Sequence, residues 1–533
     1  MRRGAPAAQE TGSPTPVPTT PGRGTRLGTQ VRGRLRSVDP VLGIVGLGSF
    51  VVYMLHGFNA ALTRDLGVYT YGGQRFLAGD PPYVGILNRA GPLAHALPGI
   101  GIWLGRRVGI ADIHGARGFF MLMAIGCVCL VYVVVRDLTR SRGAAVVGAV
   151  AFLGFQGFLG YATDGPREKT AMVLFLLAAV LAMIHRRWAT CGVFIALGTL
   201  TWQPVFFLIL VSVIVAVLLS PDRRVSALVR VTVGGAATSA VVLLYYAANG
   251  ALHTFFDGFL LINAQYTRQP SPFGRHFPKT WASLKDGYGL SVWVIVVGLV
   301  AIVILGVASA RAAWRTRELA PVGYLSLGAG CLAGLAWSAK AFNAWPDLFL
   351  MLPLAAIGVG GGVAVVLRRL DLRVAVAVTA VLALVGTAYA TQYSLHRDKH
   401  NLAQQRAVIG RVLRLGPQSA TILSVQAPEV LVMTHRVNPT PYQMYDNGFT
   451  DYLKDTYPGG IQGYLASIQR SAPTYIVVQT GMHPAWLMPW LRQHYDNVRG
   501  APQFNFWVDR SVSHEARKKM RLENRAARVR LRS

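Results

Sequence analysis

The sequence predicts an α-helical polytopic membrane protein that carries a small α/β domain at its C-terminal end. Of its 533 residues, 52% are hydrophobic and only 14% are charged, whereas a soluble domain usually carries about 25% charged residues. Many runs of roughly 17–22 residues carry almost no charge, which is the length that crosses a hydrocarbon core of about 30 Å. After residue 392 these runs stop, and shorter strand-like and helix-like segments follow.

The apolar runs predict about 11 transmembrane helices within residues 41–392. The first run is too long for a cleaved signal peptide, so it is interpreted as an uncleaved span. The division at Gln203 and Pro204 is the weakest, because one broken helix could replace two spans there. Losing one span would reverse the side of every later loop. The predicted spans cover residues 41–62, 116–135, 143–161, 169–185, 188–203, 204–220, 226–247, 290–310, 320–338, 345–367 and 373–392.

Arginine-rich loops define the predicted orientation. When the spans alternate, five short basic loops fall on one side, namely "RDLTRSR" (136–142), "HRR" (185–187), "PDRR" (221–224), "ARAAWRTR" (310–317) and "RRLDLR" (368–373). Basic residues concentrate in cytoplasmic loops, so the N-terminus is predicted to be cytoplasmic. The long loops 63–115 and 248–289 and the C-terminal domain are then extracytoplasmic. The net charge of +30 follows from this topology, and no nucleic-acid partner is predicted.

The regions outside the spans have distinct compositions. Residues 1–40 are rich in Pro, Gly, Thr and Arg, which is typical of a disordered tail. Residues 393–510 are predicted to form the α/β domain, with strands at 420–425, 474–479 and 504–508 and helices near 400–414, 459–470 and 485–495. Residues 511–533 form a basic tail that contacts either anionic lipid headgroups or only water. The Ala-, Val-, Gly- and Arg-rich composition is typical of a high-GC bacterium, and the protein is predicted to lie in the bacterial plasma membrane.

One short connection is unusually rich in charge. The stretch "YATDGPREKTAMVLF" places Asp164, Arg167, Glu168 and Lys169 between the third and fourth spans. The sequence predicts that Pro166 lies in the first turn of the following helix, with Asp164 or Thr163 as a cap. These charges either cap and anchor a helix at the interface, where charges cost little, or they bind a ligand.

Further polar residues fall on the same predicted outer side. Arg64 and Asp65 directly follow the first span, and Lys340 lies at the mouth between the ninth and tenth spans. Arg268 lies in the second long loop, whereas Asp80 is assigned to the rigid turn "GDPPY". Lys340 is either an interfacial anchor or a ligand-binding residue. Basic residues on the outer side oppose the overall bias of the chain, so a lipid-linked phosphate is the simplest anionic ligand to explain them.

In this layout the chain resembles the GT-C fold glycosyltransferases, in particular the bacterial protein-mannosyltransferase-like, polyprenyl-phosphate-mannose-dependent branch. The resemblance covers roughly residues 41–510. It rests on "TRDLGVY" in the first outer loop, a "GPL" element opening an interfacial helix, "GPREKTAM", "AKAFNAWPDLFLMLP" and the small outer domain. It implies inverting transfer of a monosaccharide, with mannose favoured, from a polyprenyl-phosphate carrier to a hydroxyl of a glycan or protein acceptor.

The resemblance also implies roles for individual residues. Asp65 matches the catalytic carboxylate by position and would act as the general base. Cations would stabilise the charge of the departing phosphate, and the candidates are Arg64, Arg167, Arg268 and Lys340. A second acidic residue has three candidates, Asp80, Asp164 and Glu168. No cofactor and no metal are expected, because the sequence has no compact Asp/His cluster, although a divalent metal stays an open alternative.

Other classes of protein give different expectations. An arabinosyltransferase, or another lipid-linked-sugar transferase, could share the same fold. A polytopic transporter or flippase would carry ionisable residues near the midplane and an internal repeat. The predicted spans are almost free of charge, and the sequence shows no convincing repeat. It also lacks a G-x-x-x-x-G-K-[ST] phosphate loop and a G-x-S-x-G nucleophile elbow.

Overall fold

The computed structural model of the protein describes residues 39–267, 271–396 and 402–530. The predicted N-terminal tail up to residue 38 and the candidate Arg268 therefore lie outside the described residues. The helices before the C-terminal domain are α1 (Pro40–His56), α2 (Arg64–Leu77), α3 (Leu93–Arg107), α4 (Asp112–Thr139), α5 (Arg142–Leu153), α6 (Gln156–Asp164), α7 (Glu168–Ile184), α8 (Trp188–Thr199), α9 (Val205–Leu218), α10 (Arg224–Ala248), α11 (Leu252–Phe256), α12 (Phe277–Tyr288), α13 (Ser291–Thr316), α14 (Leu319–Lys340), α15 (Leu352–Leu367) and α16 (Leu372–Leu395).

Every predicted apolar run contains a helix. Among the described residues, six helices are long and apolar enough to cross a membrane, and α5 with α6 forms a seventh span if this pair is one helix bent by 68°. Three further apolar helices, α1, α8 and α9, are shorter. Residues 200–204 separate α8 from α9, so the break at Pro204 yields two helices rather than one. The count of 11 spans stays a prediction.

The loops gather at two opposite ends of the helical bundle. At one end, called the basic end, the predicted cytoplasmic loops contact one another. The pairs are Asp39 with Arg136 at 3.4 Å, Asp137 with His185 at 2.8 Å, and Arg186 with the carbonyl of Arg317 at 2.9 Å. At the other end, called the domain end, the amide of Leu402 donates to the carbonyl of Asn59 at 2.9 Å. These basic loops therefore share one end of the bundle, whereas the alternation of all the spans and the side of the membrane that each end faces stay predictions.

The C-terminal domain is built on a four-stranded sheet of order β1-β2-β4-β3. β1 and β2 are parallel, and the other two pairs are antiparallel. The three predicted strands are confirmed. The elements are α17 (Leu402–Arg414), β1 (Ile422–Val425), α18 (Pro428–Thr434), α19 (Phe449–Thr456), α20 (Gly460–Ser471), β2 (Tyr475–Gln479), α21 (Met488–His494), β3 (Tyr495–Arg499), β4 (Phe504–Asp509) and α22 (His514–Arg530).

The C-terminal basic segment differs from the predicted tail. Residues 514–530 form helix α22, and Met520 on this helix is buried. Arg517 forms an ion pair with Asp496 of β3, and the side-chain amide of Asn524 donates to the carbonyl of Val498 at 3.2 Å. The described part of this segment therefore packs on the edge of the sheet, although most of its residues are charged.

Helix α2 joins the membrane part to the C-terminal domain. A Cβ atom on Gly73 would lie 2.7 Å from the backbone nitrogen of Gly99, so α2 and α3 approach more closely than a side chain allows. On another face, a Cβ on Gly67 would lie 3.1 Å from the backbone nitrogen of Glu429 in α18. Glycine permits such close approach of backbones. The packing fixes α2, whose first turn carries Arg64 and Asp65.

Candidate active site

A cavity of about 860 Å³ opens at the domain end of the bundle. Its wall combines the start of α2, the connection between α6 and α7, the turn between α8 and α9, the end of α14 and a turn of the C-terminal domain. Tyr161, Trp202, Trp337 and Trp345 add aromatic surface, and Arg64, Asp65, Arg89, Arg167, Glu168, Lys169, Lys340, Asp347 and Asp446 supply charge. The cavity thus combines convergent charges with large aromatic faces, as ligand sites commonly do.

Seven charged side chains form a continuous row along this wall. The row consists of Asp446, Arg64, Asp65, Arg167, Glu168, Lys169 and Asp347, with successive N–O distances of 2.6, 2.9, 2.6, 3.3, 3.6 and 2.6 Å. The signs alternate from one residue to the next. Buried charges are costly unless they are paired, so the alternation explains how so many charges persist at one end of an apolar bundle.

The connection between α6 and α7 explains how the charged stretch enters the cavity. Helix α6 continues to Asp164, and Arg167 has an extended backbone before α7 begins at Glu168. The prediction that Pro166 lies in the first helical turn is therefore wrong, because three residues are needed to turn the chain from one helix into the next. As a result Arg167, Glu168 and Lys169 are buried, with exposures of 4–6%. They are not interfacial anchors.

Asp65 lies between two arginines at the cavity wall. Its Oδ1 accepts from Arg64 Nε at 2.9 Å, and its Oδ2 accepts from Arg167 Nη1 at 2.6 Å. Burial disfavours the charged carboxylate, but the attraction of Arg167 and then of Arg64 outweighs it and holds the pKa of Asp65 below its usual range. Asp65 is therefore ionised at neutral pH, and each oxygen keeps a lone pair for a further hydrogen bond.

The structure places the other predicted residues in different surroundings. Lys340 lines the same cavity and is exposed. Of the three candidates for a second acidic residue, Glu168 lines the cavity. Asp80 instead forms an ion pair with Arg75, within the turn predicted for it. Asp164 does not line the cavity, and its backbone carbonyl accepts from Arg117 Nε at 3.2 Å.

Three charged cavity residues were absent from the predicted site. Asp347 pairs with Lys169, and Asp446 pairs with Arg64. Arg89 lines the cavity without an ion-pair partner among the residues that the structure describes, and the same holds for Lys340. A sequence signal existed for Arg89, because it is a basic residue in a predicted outer loop, as Arg64 is. Within the described part of the chain, no group of three or more His, Cys, Asp or Glu could hold a metal ion.

Fold and cavity together define an integral membrane protein of the GT-C fold. The chain is similar to ArnT from Cupriavidus metallidurans in the apo state, with a TM-score of 0.51 and 16% identity over 88% of this chain and 98% of ArnT. For the same protein bound to undecaprenyl phosphate, the TM-score is 0.52 and the identity 15%, over 87% of this chain and 97% of ArnT. No family model and no curated protein matches the sequence. The predicted fold is confirmed.

Proposed function

We propose that the protein is a glycosyltransferase that moves a monosaccharide from a polyprenyl-phosphate carrier to an acceptor hydroxyl at the outer face of a bacterial plasma membrane. The observation that carries this proposal is the cavity at the domain end, in which ionised Asp65 lies among cations and aromatic rings. The likeness to ArnT, a protein that binds undecaprenyl phosphate, supports a carrier of this class. Mannose is the favoured sugar, and an arabinose donor is the alternative on the same fold.

The charge balance indicates which cations bind the donor phosphate. The row of seven charges contains the cations Arg64, Arg167 and Lys169, and the carboxylates that face them outnumber them by one. A phosphate would have to break these ion pairs in order to use them. Among the described residues neither Arg89 nor Lys340 forms an ion pair with a carboxylate, although Arg89 is close enough to Asp347 for electrostatic attraction, so we assign the primary phosphate contacts to them. Arg64 and Arg167 then hold and orient Asp65, and the phosphate lies farther from them.

Asp65 would act as the general base. In a single displacement, the acceptor oxygen attacks C1 of the sugar on the face opposite the phosphate, the bond from C1 to the phosphate oxygen breaks with its electron pair leaving on the phosphate, and Asp65 accepts the hydroxyl proton. Attack on the opposite face inverts the configuration at C1. A carboxylate held by two arginines is a weak base. The negative charge of an incoming donor phosphate raises the pKa of such a carboxylate toward a more useful range, so binding of the donor would activate the base.

Aromatic side chains would guide the lipid carrier into the cavity. Phe207 of α9 stacks on Trp337 of α14 with ring centroids 4.7 Å apart, and both rings line the cavity. Phe207 is also 46% exposed. The two rings form an aromatic wall between α9 and α14, along which the polyprenyl chain would leave the site.

The direct test uses purified protein in detergent with a panel of polyprenyl-phosphate sugars that includes mannose and arabinofuranose donors. Glycan and peptide acceptors are added, and release of free polyprenyl phosphate is followed together with glycosylation of the acceptor. The proposal expects release from one donor class, dependent on the acceptor. Transport of intact donor across proteoliposomes, with no release of lipid phosphate from any donor, would support the flippase alternative instead.

A further inference from the structure

The C-terminal domain places a carboxylate in the row of charges at the candidate active site. Asp446 lies in the turn before α19, and its Oδ2 accepts from Arg64 Nη1 at 2.6 Å. The same guanidinium donates through Nε to Oδ1 of Asp65 at 2.9 Å. One guanidinium therefore joins the catalytic candidate on the membrane part to a side chain more than 380 positions later in the chain.

The turn that carries Asp446 is held on one side by its own domain and on the other by the segment that contains Tyr266. The preceding residue, Tyr445, is buried, and its hydroxyl lies 2.8 Å from that of Tyr464 in α20. On the other side, Gly448 has a φ of +90° and packs against the carbonyl of Tyr266. A side chain at Gly448 would be strained in this conformation and would also collide. Asp446 is thus a fixed support for Arg64 rather than a mobile surface group.

The same domain contacts α2 at a second point. Glu429 at the start of α18 packs against Gly67, one helical turn from Arg64, and it is buried. Contacts on two sides of Arg64 and Asp65 fix how the domain lies on α2. The position of Asp446 relative to Arg64 therefore depends on a docked domain, not on a flexible loop.

We propose that Asp446 is a positioning residue through which the C-terminal domain completes the active site; this inference rests on the proposed glycosyl transfer. By holding one side of the Arg64 guanidinium, Asp446 keeps its other side on Oδ1 of Asp65. Without Asp446, the contact with Asp65 is the remaining ion pair of Arg64 among the described residues, so one of the two arginines that orient Asp65 is held less firmly.

The test compares Asp446→Asn and Asp446→Glu with wild type under saturating acceptor. Misplacing a catalytic group by about 1 Å can cost about 10²-fold, so Asp446→Asn should lower kcat by roughly 10- to 100-fold. The KM for the donor should change by less than about 3-fold, because the phosphate contacts remain. Asp446→Glu should recover most of the loss. Asp451→Asn, in α19 of the same domain, is the matched control and should retain wild-type kinetics.

A second measurement avoids any dependence on folding of the Asn variant. Asp446→Cys protein is purified in its folded state and alkylated with iodoacetate, which restores a carboxylate, or with iodoacetamide, which restores only the bulk. Identically treated wild type corrects for the four native cysteines, three of which are buried. The proposal expects rescue by iodoacetate alone.

Three outcomes would overturn the inference. They are unchanged kcat with an unchanged donor KM in Asp446→Asn, unchanged kcat with a lowered donor KM, which would make Asp446 a competitor of the phosphate, and equal rescue by both reagents. If wild type and Asp451→Asn transfer sugar while one of these outcomes is seen, the inference about Asp446 fails but the proposed function stands. If neither protein transfers sugar, the proposed function itself is refuted.

Discussion

Arg167 and Lys340 line the same cavity, yet their removal should have opposite consequences. The side chain of Arg167 is 8% exposed and pairs with Asp65 at 2.6 Å and with Glu168 at 3.3 Å. Its guanidinium also lies 5.1 Å from the ring centroid of Tyr161. Arg167→Ala would leave Glu168, whose side chain is 5% exposed, with Lys169 at 3.6 Å as its remaining ion-pair partner.

The expected magnitude for Arg167→Ala follows from burial. Breaking a buried ion pair by removing one partner costs about 3–5 kcal/mol, which is a large share of a typical stability of about 5–15 kcal/mol. Arg167→Ala should therefore lower the abundance of the protein in the membrane and its apparent unfolding temperature in detergent. Arg167→Lys, which keeps a positive charge, should lose less.

Lys340→Ala should leave the fold intact and weaken binding of the donor. An exposed residue without an ion-pair partner contributes within about 0.5 kcal/mol to stability. A hydrogen bond to a charged group contributes about 1.5–3 kcal/mol, so the donor KM should rise by roughly 10- to 100-fold. The assays are abundance, thermal unfolding and donor titration of both variants. This assignment of roles would be refuted if Arg167→Ala protein were stable and abundant but had a raised donor KM, while Lys340→Ala kept the wild-type donor KM.

Two further predictions concern other parts of the molecule. Burial raises the pKa of Glu429 to about 8 from 4.5, so the folded state holds a proton that the unfolded state releases, and stability should fall as pH rises through this window. Glu429→Gln has no titrating carboxyl at this position, so its apparent unfolding temperature should exceed that of wild type by a margin that grows from pH 5 to pH 8. If the difference in unfolding temperature did not change with pH, the placement of this carboxyl would be contradicted. Reporters fused after residue 395 and at residue 222 should behave as extracytoplasmic and cytoplasmic, respectively, because the basic loops share one end; the opposite pattern at either point would move the site to the other side of the membrane.

The sequence was sufficient to predict the membrane fold because apolar length and loop charge act locally. Each predicted run contains a helix, and the basic loops contact one another at one end. Asp65 could be placed near the cavity because it follows the first span by only a few residues, which fixes its depth. Hydropathy could not show that Arg167, Glu168 and Lys169 point inward, since a charged connection has the same composition whether it is buried or exposed.

The missed residues depend on tertiary contacts. "YDNG" around Asp446 is an ordinary turn sequence, and only docking of the C-terminal domain on α2 brings its carboxylate to Arg64. Helix α22 was missed because it has only a few apolar residues, such as Met520, among many charged ones. This composition gives no clear apolar face from which a packed helix could be predicted. Strand β3 was missed at the end of a predicted helix, where Tyr495 pairs with Asp509 of β4. In each case the partner lies elsewhere in the chain, where a local pattern cannot indicate it.

The most direct measurement of the central claim is transfer of sugar by Asp65→Asn protein. Asparagine keeps the size of the side chain and much of its hydrogen bonding but has almost no basicity, so turnover should fall by about 10²-fold or more. The protein should still fold and bind the donor, with a lower unfolding temperature because Arg167 loses a charged partner. Asp80→Asn, outside the cavity, should transfer sugar normally. Transfer by Asp65→Asn at nearly the wild-type rate, with Glu168→Gln inactive but folded, would show that the base is a different carboxylate of the same cavity.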